Sequence, residues 1–386
     1  MKVIINTHVI KEDGMLFDGI VALEGDKIVA VKKQSEFIIP EGAEIIDAKG
    51  LYTAPGLIDI HNHGSQKEFF MDNPEGCCEH FIKHGQTSVL PTLYSTYTKE
   101  QMIEGSNKLK DFSKKSKLGK MIKGLYMEGP YMMASGSNQK YIKWAGPIVG
   151  EEYQELVDEL KGFARIWAID PDRENVDEFM KYVKSVDDKA IFALGHSMAR
   201  AFQCEKVYHL GVKLQTHHGD SGTGPKLNQA KNDAGCDEFT LCHPDMYAEI
   251  ICDQNAVHLG AYSIRVAVNV KGVEKIILIT DCYPGTGDYK NNEEEGIMYG
   301  PDLNYDYEGH LAGSHLTLDN AVRNMMVHTG YGLVHAIRFA SINPATLLGI
   351  DDKYGSIKEG KVADIILIDG AVRVKKVILA GEEVDV

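Results

Sequence analysis

The central part of the chain alternates between short apolar segments and longer amphipathic stretches, and this alternation restricts its fold more than any other feature. The amphipathic stretches, such as EEYQELVDELKGF from residue 151, have an apolar residue about every three to four positions, which is typical of a surface helix. Strands that alternate with helices form parallel sheets. The eight segments that we predict to be strands are 57–63, 87–92, 122–129, 164–170, 190–197, 212–218, 248–253 and 275–281.

Eight strand–helix units between residues 53 and 346 predict an α/β fold, the (β/α)8 TIM barrel. An open, doubly wound parallel sheet is the alternative. No GxGxxG pattern follows the first strand, which disfavours the dinucleotide-binding form of that alternative.

Both ends of the chain consist of short alternating segments that are typical of β-strands. KVIIN and DGIVALEGDKIVAV lie near the start, and KVADIILID and AVRVKKVILAG lie near the end. Two β-rich ends around a long central part predict that the ends meet in one small sheet domain. We therefore predict a small β-sandwich domain from residues 1–52 with 347–386, and a catalytic barrel domain from residues 53–346.

The charge balance excludes some classes of partner. The formal net charge is −15 over 386 residues, with 56 Asp and Glu against 41 Lys and Arg. This balance argues against binding to nucleic acids or anionic membrane surfaces, which requires a basic face, although one local pocket can still bind a small anion. We therefore predict a small-molecule substrate, with neither nucleic acid nor membrane as a partner.

The sequence also predicts a cytoplasmic location. No uninterrupted apolar segment approaches the roughly 18 residues of a membrane span, and the first residues lack the pattern of a signal peptide. The seven cysteines include no CxxC pair. Buried, reduced thiols are expected for such a chain.

Histidine and carboxylate side chains cluster where the predicted strands end. All strands of a TIM barrel end at one face, and catalytic groups lie there. A single histidine at such a position is most often structural, but a whole set at one face is hard to explain in that way. These residues are His61 and His63 on the first strand, Glu128 on the third, His196 on the fifth, His217 and His218 on the sixth, and Asp281 on the eighth.

This set of side chains predicts a metal site. His61 and His63 are two residues apart on one strand, so they face the same side and can share a cation. Imidazole nitrogens and carboxylate oxygens suit Zn²⁺, and also Fe²⁺, Co²⁺ or Mn²⁺, and Glu128 can bridge two ions. Such ions activate water and polarise a carbonyl, while Asp281 can pass the proton of water to a leaving amine. The predicted reaction is hydrolysis of an amide or a similar C–N bond.

Eight motifs follow one another along the chain: APGLIDIHNHG (54–64), LYMEGPY (125–131), ALGHS (193–197), QTHH (215–218), DQNAVH (253–258), ILITD (277–281), HLAGSHLTLDNAVRNM (310–325) and SINPATLLGIDDKYGSIKEGKVADIILID (341–369). HxH alone is a weak signal, whereas HxHG, EGP, GHS and TD in this order, with these gaps, are specific. These motifs resemble the amidohydrolase superfamily and, within it, the N-acetylglucosamine-6-phosphate deacetylase family. The resemblance covers nearly the whole chain.

The resemblance implies that one or two divalent metal ions, zinc first, bind to the strand ends. It implies that His61 and His63 hold the first ion, that His196 and His217 hold the second, and that Glu128 binds metal and can bridge the two. Because both histidines of HxH are present, two ions are expected. The implied nucleophile is metal-bound water.

The same resemblance implies the catalytic and substrate-binding residues. Asp281 matches the catalytic aspartate, a general base and acid, and His258 matches a histidine that contacts substrate. Leu311, Ala312 and Gly313 match a substrate-side loop. The implied activity is removal of acetate from an N-acetyl amino sugar, N-acetylglucosamine-6-phosphate first, by a homodimeric enzyme.

The loops on the substrate side depart from the family pattern. The family usually places a phosphate-binding arginine after the sixth strand, and none lies between His217 and Glu249. Lys226 or Lys231 can replace it, but a lysine offers a point charge and not a bidentate fork. The alternative substrates are therefore N-acetylgalactosamine-6-phosphate, a non-phosphorylated N-acetyl hexosamine, or another N-acyl compound.

Three nearby residues have both a functional and a structural interpretation. His218 and Asp220 are predicted to bind substrate, or else to be polar groups of a loop. Asp59 shares a face with His61 but is predicted to be structural.

Two alternative functions also stay open, another amidohydrolase activity and a non-catalytic scaffold. Many other amidohydrolases bridge their metals with a carboxylated lysine at the end of strand 4, where this chain has Asp170.

Overall fold

The structure is a computed structural model, which describes residues 1–133, 142–220, 234–285, 300–306 and 309–385.

Five strands at the start of the chain form part of a small sheet. The five strands are β1 (Lys2–Ile10), β2 (Met15–Glu24), β3 (Lys27–Lys33), β4 (Glu44–Asp47) and β5 (Tyr52–Pro55).

The next eight described strands form a parallel barrel. Each strand pairs with the next one along the chain, from the first of the eight to the last, and all seven of these pairs are parallel. The first and last strands meet where the Asp281 N–H donates to the His61 carbonyl at 2.9 Å. The strands are β6 (Leu57–Asn62), β7 (Gln86–Tyr94), β8 (Leu125–Glu128), β9 (Ala164–Ile169), β10 (Ile191–Leu194), β11 (Val212–Gln215), β12 (Tyr247–Ile251) and β13 (Ile276–Ile279).

Five further strands complete the described sheets. A two-stranded hairpin follows the barrel, and three late strands join the small sheet, in which the order is β18-β17-β16-β5-β1-β2-β3 with β4 on β1. The predicted fold class, a TIM barrel with a small β domain built from both chain ends, is thereby confirmed. The late strands are β14 (Leu303–Tyr305), β15 (Leu311–Ser314), β16 (Ile365–Ile368), β17 (Val374–Leu379) and β18 (Glu382–Val384).

Helices connect the barrel strands, and local sequence signals set where several of them begin. The Thr98 hydroxyl and the Gln101 side chain form a reciprocal capping box at the start of α2. The Asn73 side chain accepts from the Gly76 N–H at the start of α1. The described helices are α1 (Pro74–Ile82), α2 (Lys99–Lys115), α3 (Gly150–Glu159), α4 (Val176–Val186), α5 (Ala201–Tyr208), α6 (Cys236–Cys242), α7 (Ala261–Lys271), α8 (Leu318–Thr329), α9 (Leu333–Phe339) and α10 (Ile342–Leu348).

Several strands end earlier than the sequence predicted. The segments predicted as 190–197, 212–218 and 275–281 form strands only as far as Leu194, Gln215 and Ile279. Their functional residues therefore lie beyond the sheet and not in it. The division of the chain at residues 52/53 and 346/347 stays a proposal.

Two findings bear on the expected location and redox state. Among the helices in the described ranges, none combines the length and the apolar character that a membrane span requires. All seven cysteines are free thiols; Cys242 is exposed and the other six are buried.

Candidate metal and active site

Three of the predicted functional residues follow their strands in a left-handed backbone conformation. The φ angle is +43° at His196, +25° at His217 and +47° at Asp281. Each residue lies two positions beyond the last residue of its strand. Such conformations cost energy for side chains other than glycine and cluster at functional sites. The sharp turn is also why the strands end earlier than their apolar patterns predicted.

The Glu128 carboxylate, at the end of β8, lies at the centre of the candidate site. Its Oε1 is 2.9 Å from Nε2 of His196 and 3.3 Å from Nε2 of His217. The same oxygen is 3.6 Å from Nε2 of His61, and Oε2 is 3.3 Å from Nε2 of His63. One carboxylate thus faces four imidazoles that come from three strand ends.

Asp281 lies on the His61 and His63 side of this cluster. Its Oδ1 is 3.1 Å from Nε2 of His63 and 3.5 Å from Nε2 of His61. The residue is 7% exposed, so its carboxylate is largely screened from bulk water. The structure therefore brings together all six residues predicted to bind metal or to catalyse.

The electrostatics of the cluster favour positive charge. Burial alone lowers the pKa of a histidine and raises that of a carboxyl group. Against that effect, Asp281 and Glu128 raise the pKa of His61 well above its usual value. Glu128 likewise raises the pKa of His217 to about 9. In return, the facing imidazoles, His61 foremost, hold the pKa of the Glu128 carboxyl well below its usual range. A cation placed among these groups is stabilised in the same way.

Two overlapping groups of ligand atoms fit metal ions. His61, His63 and Glu128 form the first group, and Glu128, His196 and His217 form the second; ligand atoms within each group lie within 4.8 Å of one another. The Nε2 atoms of His196 and His217 are 3.1 Å apart. A hydrogen bond between them uses the hydrogen of one nitrogen and the lone pair of the other, so two lone pairs cannot face each other there without a cation. Nε2 of His61 is buried and makes no hydrogen bond within the described ranges. Converging nitrogen lone pairs of this kind suit a divalent cation.

Two residues that the sequence analysis did not single out support His61. Glu249, on β12, has its Oε2 3.2 Å from Nδ1 of His61. The Tyr126 ring stacks on the His61 ring with centroids 4.4 Å apart, and its hydroxyl lies 2.7 Å from Oγ1 of Thr216. An acidic residue inside the apolar run AEIICD was the only signal for Glu249, and the sequence held none for Tyr126.

An aromatic cluster borders His63. The His63 ring meets Tyr94 at 5.0 Å and Tyr283 at 5.5 Å between centroids, edge to face in both cases. The two tyrosine hydroxyls are 2.6 Å apart, and Phe69 packs against both rings. These residues restrict the space beside His63 and form an apolar wall next to the cluster.

The loop predicted to lie on the substrate side does reach Asp281. The Ser314 N–H donates to the Asp281 carbonyl at 2.8 Å. This hydrogen bond holds β15, which contains Leu311, Ala312 and Gly313, against the residues that follow β13. A Cβ added at Gly313 would lie 2.5 Å from the Asp281 carbonyl oxygen, and Gly313 has a φ of +58°. Glycine is therefore required here by both space and backbone conformation.

His258 lies beside the same loop. Its Nε2 is 3.3 Å from the Gly313 carbonyl oxygen, and its Nδ1 is 3.1 Å from Oδ2 of Asp253. The Asp253 carboxylate also accepts from the His258 N–H at 3.0 Å. Asp253 thus holds His258 against the loop next to Asp281.

The two remaining substrate candidates differ in their surroundings. Asp220 has its Oδ2 3.7 Å from Nδ1 of His217, so it borders the metal group. The described contacts of the His218 ring are instead with Gln215, at 2.7 Å from its Oε1, and with Asp237, at 3.5 Å. The role predicted for His218 and Asp220 stays a prediction.

Other residues from the sequence analysis have structural contacts or lie outside the described ranges. Oδ2 of Asp59 accepts from the Thr280 hydroxyl at 2.6 Å and from the Asn62 amide at 2.9 Å, which joins the first and last barrel strands. The predicted phosphate contacts Lys226 and Lys231 fall outside the residues that the structure describes.

Comparison with known proteins identifies the family of the chain. Residues 52–384 match the amidohydrolase family. An N-acetylglucosamine-6-phosphate deacetylase of Lysinibacillus sphaericus is 30% identical over 369 residues, which cover 90% of this chain and 89% of that protein. An N-acetylgalactosamine-6-phosphate deacetylase of Escherichia coli O157:H7 is 26% identical over 390 residues, which cover 97% of this chain and 99% of that protein.

A solved structure has the same fold over the whole length. It is the crystal structure of N-acetylglucosamine-6-phosphate deacetylase from Pasteurella multocida, which aligns with a TM-score of 0.85 over 99% of both chains. Its sequence is 23% identical, so this likeness concerns the fold alone. By its sequence match, the chain belongs to the amidohydrolase family, a family of metal-dependent hydrolases, and it resembles the N-acetylglucosamine-6-phosphate deacetylases within that family.

Proposed function

We propose that this protein hydrolyses the amide bond of an N-acetyl hexosamine 6-phosphate, with N-acetylglucosamine-6-phosphate as the first candidate. Water adds to the acetyl carbonyl, the C–N bond breaks, and acetate and the free amino sugar phosphate leave. The observation that carries the proposal is the arrangement around Glu128. Four histidines face its carboxylate, and Asp281 lies beside them. The names of the relatives supply the substrate class.

Asp281 is the residue that we propose to move the proton. When bound, divalent metal ions held by His61, His63, Glu128 and the second histidine pair supply Lewis acidity toward the acetyl carbonyl and water. Asp281 then accepts a proton from the attacking water on its carboxylate and donates it to the leaving nitrogen. Its position beside His63 and its low exposure support this role.

The loop Leu311–Ser314 and His258 are proposed to bind the sugar next to the amide. The loop lies against the backbone of Asp281, and His258 contacts the loop at the Gly313 carbonyl, so the proposed substrate contacts and proton transfer lie in one region. Asp253 orients His258 through two hydrogen bonds. Asp220 and His218 are further proposed substrate contacts after β11.

N-acetylgalactosamine-6-phosphate is the second candidate substrate. The relative from Escherichia coli O157:H7 that carries this name matches 97% of this chain. The two sugars differ only in the configuration at C4, and no arginine follows His217 before Glu249 to fix the phosphate as in most of the family. The geometry of the metal group serves either sugar.

We further propose two zinc ions per chain, with iron, cobalt and manganese as alternatives, in a cytoplasmic homodimer. Imidazole and carboxylate ligands bind all four metals, so elemental analysis of purified protein decides the metal. Light scattering during size-exclusion chromatography decides the assembly; a mass near 42.7 kDa would contradict the dimer.

An acetate-release assay tests the proposed function. Metal-loaded protein is given N-acetylglucosamine-6-phosphate, N-acetylgalactosamine-6-phosphate and the two non-phosphorylated sugars. We expect release from a 6-phosphate, with kcat/KM higher than for the free sugar. Release from the free sugars alone would contradict a phosphorylated substrate, and no release from any of the four would contradict the proposed activity.

A further inference from the structure

We infer that Glu249 is a positioning residue for both metal groups, because one of its oxygens fixes a side chain in the first group and a backbone in the second. Oε2 lies 3.2 Å from Nδ1 of His61 and accepts from the N–H of His217 at 3.2 Å. The inference deepens the proposed function, since it rests on the metal site of that proposal. Neither the sequence motifs nor the comparisons assign a role to this residue.

The burial of Glu249 requires an explanation. The residue is 0% exposed on β12, and its Oε1 has no hydrogen-bond partner among the described residues. A buried carboxylate with an unsatisfied oxygen destabilises a fold. An apolar side chain would suit this strand interior better on packing grounds alone. The two contacts of the carboxylate, both to residues of the metal groups, offset part of this cost.

The first contact sets the hydrogen position on His61. A carboxylate only accepts, so Nδ1 of His61 carries a hydrogen, and the neutral imidazole that binds a metal then has its lone pair on Nε2. Nε2 is the atom that faces Glu128 at 3.6 Å and Asp281 at 3.5 Å. Metal-binding histidines commonly use such a carboxylate on the far nitrogen to fix ring orientation. Tyr126 stacks on the face of the His61 ring, and stacking does not fix how the ring is turned within its own plane. The contact at Nδ1 fixes that rotation.

The second contact supports a strained backbone. His217 has a φ of +25°, which few residues other than glycine adopt. Its N–H points at Oε2 of Glu249 at 3.2 Å, and its Nε2 is 3.3 Å from Oε1 of Glu128. The hydrogen bond to Glu249 offsets part of the strain, so the same oxygen holds His61 in the first group and His217 in the second.

The test compares Glu249→Gln and Glu249→Leu with the wild-type protein. Affinity for Zn²⁺ and Co²⁺ is measured by competition with a chromophoric chelator, and the thermal midpoint of the metal-free protein is measured in parallel. Loss of such an outer contact typically weakens metal binding about 10–100-fold. We expect Leu to lose more affinity than Gln, because the Gln carbonyl can still accept from Nδ1 of His61. The Co²⁺ absorption bands should shift in both variants.

A matched control separates positioning from a merely structural role. Glu249→Leu leaves the N–H of His217 and Nδ1 of His61 without their acceptor, so the metal-free variant should melt below the wild-type temperature as well as bind metal more weakly. Asp364→Asn is the matched control, a buried carboxylate that accepts from the Ala380 N–H at 2.7 Å outside the metal groups. It should keep the wild-type metal affinity and Co²⁺ spectrum.

Three results would overturn the inference: unchanged metal affinity in both variants, an unchanged Co²⁺ spectrum, or an equal affinity loss in the Asp364→Asn control. If the Leu variant does not fold, the same comparison is made with Gln alone. Metal binding is measured without substrate, so the two ideas fail separately. A protein whose metal affinity depends on Glu249 but which releases no acetate contradicts only the proposed function. A deacetylase whose metal affinity is indifferent to Glu249 contradicts only the inference.

Discussion

The two histidine groups that share Glu128 are held in different ways. His61 belongs to β6, is 0% exposed, and is enclosed by Tyr126 and Glu249. His196 lies beyond β10 with a φ of +43°, and its side chain is 17% exposed. His61 is thus fixed by its surroundings, whereas the strained backbone at His196 places that ring. The contrast shows that one barrel rim supports neighbouring ligands by two separate physical means.

The largest expected effect comes from the carboxylate beside the first group. Asp281→Asn removes the proton acceptor but keeps the shape of the side chain, so we expect kcat to fall about 10²–10⁴-fold. Metal content should stay at the wild-type level, because Asp281 is not needed to complete either ligand group. Steady-state kinetics and elemental analysis check both statements. Asp13→Asn, at an exposed carboxylate, is the control; wild-type turnover in Asp281→Asn would refute the assigned role.

Removing one histidine from each group tests whether the groups are independent. His61→Asn and His196→Asn should each lose one of two bound ions, whereas Glu128→Gln should lose both. Activity should fall by more than the roughly 10–100-fold that an outer contact costs. Metal-to-protein ratios give the answer, with His310→Asn, at an exposed histidine, as the control. If His196→Asn loses both ions, the two groups are one cooperative site.

A smaller effect is expected where β15 touches Asp281. Gly313→Ala places a Cβ 2.5 Å from the Asp281 carbonyl oxygen at a φ of +58°. The left-handed backbone costs about 1–2 kcal/mol, and the forced shift adds about 1–3 kcal/mol. Gly330→Ala has a φ of +79° with open space around it, so it isolates the first cost. Urea unfolding of both variants measures the difference; equal losses would show that the loop gives way easily.

The smallest effect is expected from the ring that stacks on His61. Tyr126→Phe keeps the stacking and removes the hydroxyl contact with Thr216, so stability should fall by about 1 kcal/mol. Metal content should not change. Tyr126→Leu removes the stacking as well, so this variant should bind metal more weakly than Tyr126→Phe. Tyr182→Phe, at a phenol with exposed contacts, controls for loss of a hydroxyl. If Leu and Phe bind metal equally, stacking does not hold the first group.

The sequence predicted the strands and the ligands for the same reason. Buried parallel strands are apolar, so polar residues such as His61 and Glu128 at their ends stand out. The six predicted metal and catalytic residues do converge, because strand order fixes where strand ends meet.

Other features depended on distances that no local pattern encodes. Tyr94 and Tyr283 share a hydroxyl contact across 189 positions of sequence. Glu249 lies in a strand interior, and only the closed barrel brings it to His61. The left-handed turn at His217 depends on partners from other strands, which is why the strand ends were predicted too late.

The small sheet has a consequence for how the chain matures. β5 pairs with β16, Pro55 opposite Ile365, across about 300 residues of barrel. At about 5–20 residues per second of synthesis, β16 leaves the ribosome roughly 15–60 s after β5. During that interval β5 presents an unpaired edge, which is a site for wrong pairing. The barrel strands are all synthesised before this edge can close, so the pairing of β5 with β16 completes the small sheet only after the barrel strands have left the ribosome.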